Sequence, residues 1–359
     1  MLETQQSLNE NINVPLLRKI SIRYTNAYLK WTFMACFFFG TSNFLTGHLS
    51  AKLGVEGGYP FFIGNLFSWM MYHLYIGIEN YKTFDSFWNK ETSTYYDVHT
   101  DKFRFSYLLG PILRGIVQVA VFFSVFITME FAFKAGVNQG IIASLFSTSI
   151  IMSAVIFYFL YEEKLSQRHL FGLALMITAV VLISIGKPAS QKSTTLTPSE
   201  QLALEETQAY YLTLSIIFAI VCGIILTING LVMRHYVKYM HISALQLNND
   251  GGLIQMTVLM VLFILRVKEK GMYEMGDLFE SIGASLLSMC ANVTLSQAFA
   301  VGLGGPVQGI NNLMSLVQTI LAAIFLSQIP TLLQNFGLAF GLVGALVMCG
   351  VDKIFWFRD

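Results

Sequence analysis

Phe171-Gly172-Leu173-Ala174 recurs as Phe336-Gly337-Leu338-Ala339, and some thirty residues before each copy stands Gln139-Gly140-Ile141 or Gln308-Gly309-Ile310. Two matches in the same order and at nearly the same spacing mark an internal duplication. The pairs Gly40/Gly47 and Gly223/Gly230 carry the match back to the first apolar segment of each half. Apolar runs of about 17 to 25 residues give ten candidate spanning helices, near 29–50, 60–78, 106–132, 137–161, 168–186, 210–233, 242–265, 277–301, 305–328 and 331–351. Five helices per copy is an odd number, so consecutive copies enter a membrane from opposite sides. The expected fold is an all-α membrane protein of ten transmembrane helices in two inverted five-helix repeats. Its parts are an N-terminal segment 1–28, a first repeat 29–186, a linker 187–209, a second repeat 210–351 and a tail 352–359.

Composition agrees. The 359 residues are 55% hydrophobic and 12% charged, with a mean hydropathy of +0.60, too apolar for a soluble domain. A net charge of +1 without a basic, aromatic-laced stripe excludes nucleic acid as the expected partner. Cys36, Cys222, Cys290 and Cys349 are far apart inside apolar runs and read as packing residues, not metal ligands or disulfide partners. No cleaved signal peptide is expected at the polar start. Lysines and arginines such as Arg18, Lys19, Arg23, Lys82, Lys102 and Arg104 crowd one set of loops, which makes both termini cytoplasmic. The segment from Glu79 to Phe105 is aromatic and suits either an interfacial amphipathic stretch or an ordinary loop.

Amides and charges inside a membrane are costly and need a reason. In 305–328, Gln308, Asn311, Asn312, Ser315 and Gln318 fall at offsets that make one stripe, and Ser281, Ser285, Ser288, Asn292 and Ser296 make another in 277–301. Two polar stripes on neighbouring helices describe a cavity. The third segment adds Arg114 and Gln118, the seventh Gln246, Asn249 and Asp250, the first Asn43 and the sixth Asn229, while Asn248 and Gln255 fall on the seventh's opposite face. Interhelical glue is the competing use of such groups. Arg114 and Asp250 lie at similar depth: paired, they leave the cavity nearly neutral, and unpaired they offer an anion-binding cation and a titratable carboxylate. Gly337, Gly341 and Gly344 permit close helix approach or homodimerisation. Phosphate-binding, nucleophile-elbow and zinc-protease motifs are absent, so neither enzymatic chemistry nor a cofactor or metal is expected.

The stretch Phe131 to Gln139, continuing through Ser144 to Tyr161-Glu162-Glu163-Lys164-Leu165-Ser166, resembles the drug/metabolite transporter superfamily, in particular its EamA-like members. Ser327-Gln328-Ile329-Pro330-Thr331 departs from that family's second acidic turn. The resemblance implies that the first to fourth and sixth to ninth helices surround a central cavity, with the fifth and tenth outside it. It implies alternating-access transport, and amides and hydroxyls with at most one net charge suit a small polar organic metabolite as the substrate. No Lys or Arg stands between Lys270 and Lys353, which tells against phosphorylated substrates. Asp250 would equally suit proton coupling or a cationic substrate. The alternative is a non-transporting membrane subunit or scaffold, docked in a larger complex, that keeps the transporter fold.

Overall fold

The computed structural model describes residues 14–89, 94–96, 102–161, 167–185, 198–238, 240, 242–301 and 304–348. These residues are almost entirely helical and contain no strand. In chain order the helices are α1 Val14–Leu53, α2 Phe62–Phe84, α3 Phe105–Lys134, α4 Gln139–Ser144, α5 Thr148–Tyr161, α6 Gln167–Ile185, α7 Pro198–Lys238, α8 Ala244–Lys270, α9 Met275–Val301, α10 Gly304–Asn311, α11 Met314–Phe325 and α12 Leu332–Met348. Short 3-10 turns, Gly54–Phe61 and Leu145–Ser147, join α1 to α2 and α4 to α5.

Among the described residues, four helices are long and apolar enough to cross a membrane: those around Phe105–Lys134, Leu202–Val237, Ala244–Lys270 and Met275–Ala298. Shorter apolar helices accompany them, at Gln139–Ser153, Leu170–Ala179, Met314–Phe325 and Leu332–Gly344. The surface is apolar, with Phe37, Met70, Ile116, Ile217, Ile264 and Phe336 exposed, while Thr32, Ser42, Thr46, Arg114, Asn248, Ser281 and Gln318 are buried. A chain that hides polar groups and shows apolar ones is built for a lipid surround. These are the proportions of a helical membrane protein.

Two helix starts and two internal breaks differ from the sequence reading. Helix begins at Val14, inside the expected N-terminal segment, and α7 begins at Pro198, inside the expected linker. Proline is favourable in the first turn of a helix, where its missing N–H has no partner to lose. The rest of that linker, the tail and the Glu162–Ser166 turn lie outside the described residues. The two segments that carry Gln-Gly-Ile are each broken just after it, 137–161 into α4 and α5 and 305–328 into α10 and α11. At both breaks a serine competes for backbone carbonyls: Ser144 and Ser147 donate to Ile141 O and Ser144 O, and Ser315 donates to Asn312 O. Asn138 caps α4 by accepting from the Gly140 N–H, and the turn before it needs Gly136 at φ +68°.

Packing relates the halves. Helix α1 packs on α9 and α11, and α7, its counterpart, packs on α3 and α5. Helix α3 packs on α8, and α2 on α9; α2 also packs on α8, and α6 on α12. Among the pairs just named, exchanging α1 with α7, α2 with α8, α3 with α9, α5 with α11 and α6 with α12 returns the same pairs, whereas the packing of α1 on α3 and of α8 on α9 has no matching pair of comparable extent. The repeated tetrapeptides lie on α6 and α12, where a Cβ at Gly344 would stand 2.8 Å from Gly172 O. Phe171 and Phe336 are exposed alike, at 55% and 53%. Gly40 lies against α11, where a Cβ would stand 2.8 Å from Met314 O, and Gly223 lies against α5, where it would stand 2.2 Å from Thr148 Oγ1.

Candidate functional site

A cavity of about 150 Å3 lies at the centre of the bundle. Residues from α1, α2, α3, α7, α8, α9, α10 and α11 and from both 3-10 turns line it; α6 and α12 contribute none. Seven of the residues singled out in the sequence meet there: Asn43, Arg114, Gln118, Asn229, Asn292, Gln308 and Asn311. Helix α3 delivers Arg114 and Gln118 one turn apart on its buried face. Gly115 and Gly251 let α3 and α8 approach so closely that a Cβ on Gly115 would stand 2.6 Å from Gly251 O, and one on Gly251 2.7 Å from Arg114 Cγ. That approach seats the guanidinium against α7 and α8.

Arg114 is 4% exposed. Its Nη1 donates to Asn229 Oδ1 and its Nη2 to Asn248 Oδ1 at 3.1 Å, where Gln118 Nε2 also donates at 3.2 Å. The paired reading of Arg114 with Asp250 is therefore corrected. Asp250 instead accepts from the Tyr95 hydroxyl and meets His73 Nε2 at 3.1 Å. Thr94, beside Tyr95, donates to Gln246 at 2.5 Å, so the segment after α2 is strapped to the start of α8. Burial first, and then the Asp250 carboxylate, push the Tyr95 phenol well above its ordinary range.

Three other assignments are also corrected. Asn249 accepts from Ser68 at 2.7 Å and donates to Leu245 O, outside the cavity wall. Asn312 lies on a smaller pocket beside α12, and Gln318 is buried between Asn43 O and the Met129 sulfur. On α11 the break after Asn311 rotates the later part of the stripe away, which an unbroken helix would not do. The sequence reading missed Asn65, and it chose the Asn249 and Asp250 face of α8 for the cavity where the structure presents the opposite one, with Gln255 in the wall and Asn248 on Arg114. On α8 the row Asn248, Gly251, Gly252, Gln255, Leu259 is buried, and Ala244, Leu247 and Asn249 are buried beside it. Its two glycines signal close packing, and that signal was available in the sequence.

The cavity wall holds polar atoms without partners: Asn65 Nδ2, Arg114 Nε, Gln118 Oε1 and Asn311 Oδ1. Buried polar atoms left unsatisfied cost about 1–3 kcal/mol each, and four on the lining residues of one cavity are a cost that water or a polar ligand would relieve. Among the described residues no group of three His, Cys, Asp or Glu is arranged to hold a metal ion.

No protein-family model matches the chain, and no curated protein matches it. Solved structures do match in fold. One, described only as "Crystal structure of protein", aligns with a TM-score of 0.59 at 13% identity over 93% of this chain and 99% of its own. At that identity the likeness speaks for the fold alone, and it spans nearly the whole chain.

Proposed function

We propose that this protein is a ten-helix membrane transporter of the drug/metabolite transporter kind, two inverted repeats that carry a small polar organic metabolite by alternating access. One observation carries the reading: the cavity draws its wall from both halves and leaves α6 and α12 outside. A scaffold has no use for a central cavity ringed by unsatisfied amides. The exchange of packing partners between halves supports the inverted repeat, because two related packings of one bundle can open a central site to each side in turn.

The test is uptake by proteoliposomes of labelled small metabolites, pooled by class, with Asn292→Leu as the comparison. Asn292 lines the cavity and donates only to Ser288 O, so leucine fills space without breaking an interhelical bond. Wild-type uptake that saturates and drops at least about tenfold in the variant supports transport. Equal accumulation in wild-type, variant and empty liposomes across all pools sinks it.

A further inference from the structure

Among the described residues, Arg114 is the only charged one in the cavity wall, and no carboxylate lies within ion-pair distance of it. A guanidinium buried in a membrane bundle without a counter-ion is costly, and two amide oxygens replace only part of its hydration. The counter-ion considered from the sequence, Asp250, is held elsewhere by Tyr95 and His73. Arginine Nε remains without an acceptor beside the cavity. A planar cation with a free N–H is matched by a carboxylate. The remaining unsatisfied wall atoms include two acceptors, Gln118 Oε1 and Asn311 Oδ1, which call for a ligand that also donates hydrogen bonds. One cation balances one negative charge, and a dianion would bring a second charge with no partner. A cavity of about 150 Å3 also falls below the range of about 300–1,000 Å3 common for drug-sized ligands.

We infer that the cavity binds a small organic monoanion, a hydroxycarboxylate, with Arg114 taking the carboxylate and the amide oxygens of Gln118 and Asn311 offered to its hydroxyls, each O–H donating to one of them. The inference rests on the cavity being a transport site and names the class of its substrate. It sets aside the cationic substrate that Asp250 alone would favour, because Asp250 does not reach the wall.

The experiment follows thermal unfolding of the full-length protein in detergent, at matched ionic strength, with lactate and glycerate, the uncharged lactamide, zwitterionic alanine, cationic ethanolamine and dianionic glycerol phosphate. A ligand of the native state raises the melting temperature by mass action. Lactate or glycerate is expected to stabilise the wild type at concentrations where lactamide does not. Arg114→Gln is expected to weaken that binding about tenfold or more, and Arg114→Lys less. The wild-type charge preference needs no variant, so a variant that fails to fold leaves the test intact. Equal stabilisation by lactamide, preference for alanine, ethanolamine or glycerol phosphate, or no shift with either carboxylate overturns the inference. Proteoliposome uptake separates the two failures. A carboxylate that binds and is not carried leaves the anion site standing and removes transport. Lactamide carried while lactate is not does the reverse.

Discussion

Gln139 and Gln308 match in the repeated sequence motifs, as do Gly47 and Gly230, yet the structure treats the two pairs differently. In the first half Gln139 is fully buried and donates to Gly47 O at 2.9 Å, filling the space beside that glycine so tightly that a Cβ there would stand 2.0 Å from its side-chain oxygen. In the second half Gln308 lines the cavity with one long contact, 3.5 Å to Ser149, and nothing lies within 4 Å of a Cβ on Gly230. One pair is a closed latch and its counterpart an open one. Around the closed pair Asn138 Nδ2 donates to Gln328 O at 2.5 Å, Lys52 meets Asp277 at 2.6 Å, and Lys270 meets Glu56 at 2.5 Å. If the halves exchange conformations in the transport cycle, the pairs exchange states.

The largest effect is expected at Gly140, beside the closed latch. A Cβ there would stand 2.3 Å from Thr319 N and 2.6 Å from Thr319 Cα, backbone that has no room to move away. Gly140→Val is expected to cost about 3 kcal/mol or to prevent folding, read from the melting temperature and the yield of monodisperse protein. Tolerance of valine would mean that α4 and α11 separate more easily than the packing implies.

Next comes the ion pair that holds the same end. Asp277 is 5% exposed while the Lys52 side chain is 47% exposed, so removing the carboxylate leaves a cation that water can reach. Asp277→Ala is expected to cost about 1–2 kcal/mol, less than a fully buried pair, and to raise labelling of cysteines placed near Gly47. Gln139→Ala removes one buried hydrogen bond and is expected to cost about 1 kcal/mol, whereas Gln308→Ala costs less than half of that. Equal costs would erase the difference between the halves.

Gly230→Ala inverts the sign. With open space around it, alanine gains up to about 1 kcal/mol of helix propensity in the arrangement described here. In the exchanged arrangement that the proposed cycle requires, the same methyl group would meet the Gln308 amide. The variant is expected to melt slightly higher and to transport more slowly. A variant that melts higher and transports at the wild-type rate would separate Gly230 from the cycle.

How far the sequence revealed this can be argued from the same residues. Hydropathy and duplication located the helices because long apolar runs and paired glycine motifs are local signals. The breaks after Gln139-Gly140-Ile141 and Gln308-Gly309-Ile310 were hidden, because serine hydroxyls on backbone carbonyls leave no mark in the apolar pattern. Stripe reading recovered Asn43, Asn229, Asn292 and Gln308, which lie on unbroken turns. It failed on α8, where polar residues crowd both faces between 246 and 250 and only the glycines at 251 and 252 tell which face is buried. Gln318 failed because a stripe drawn through a break ceases to be one.

The smallest effect is expected from pH, and it falls mainly on the closed end. Lys52, Lys134 and Lys270 each hydrogen-bond a carboxylate, to Asp277, Glu130 and Glu56, and so keep their protons above the ordinary lysine range. Burial first pushes Tyr273, beside them, up to about 12. Each of these groups has a folded pKa raised above its unfolded value, so its contribution is complete below about pH 10 and is lost as pH rises through the folded value. The lysines are half exposed, and solvent screening keeps each contribution small. The melting temperature is therefore expected to be insensitive to these groups near neutrality and to fall above about pH 10. Lys52→Met is expected to lower the neutral plateau slightly and to flatten part of the alkaline fall. An alkaline fall unchanged by Lys52→Met would remove Lys52 from its origin and leave Lys134, Lys270 and Tyr273, or Tyr95 beside Asp250 at the other end.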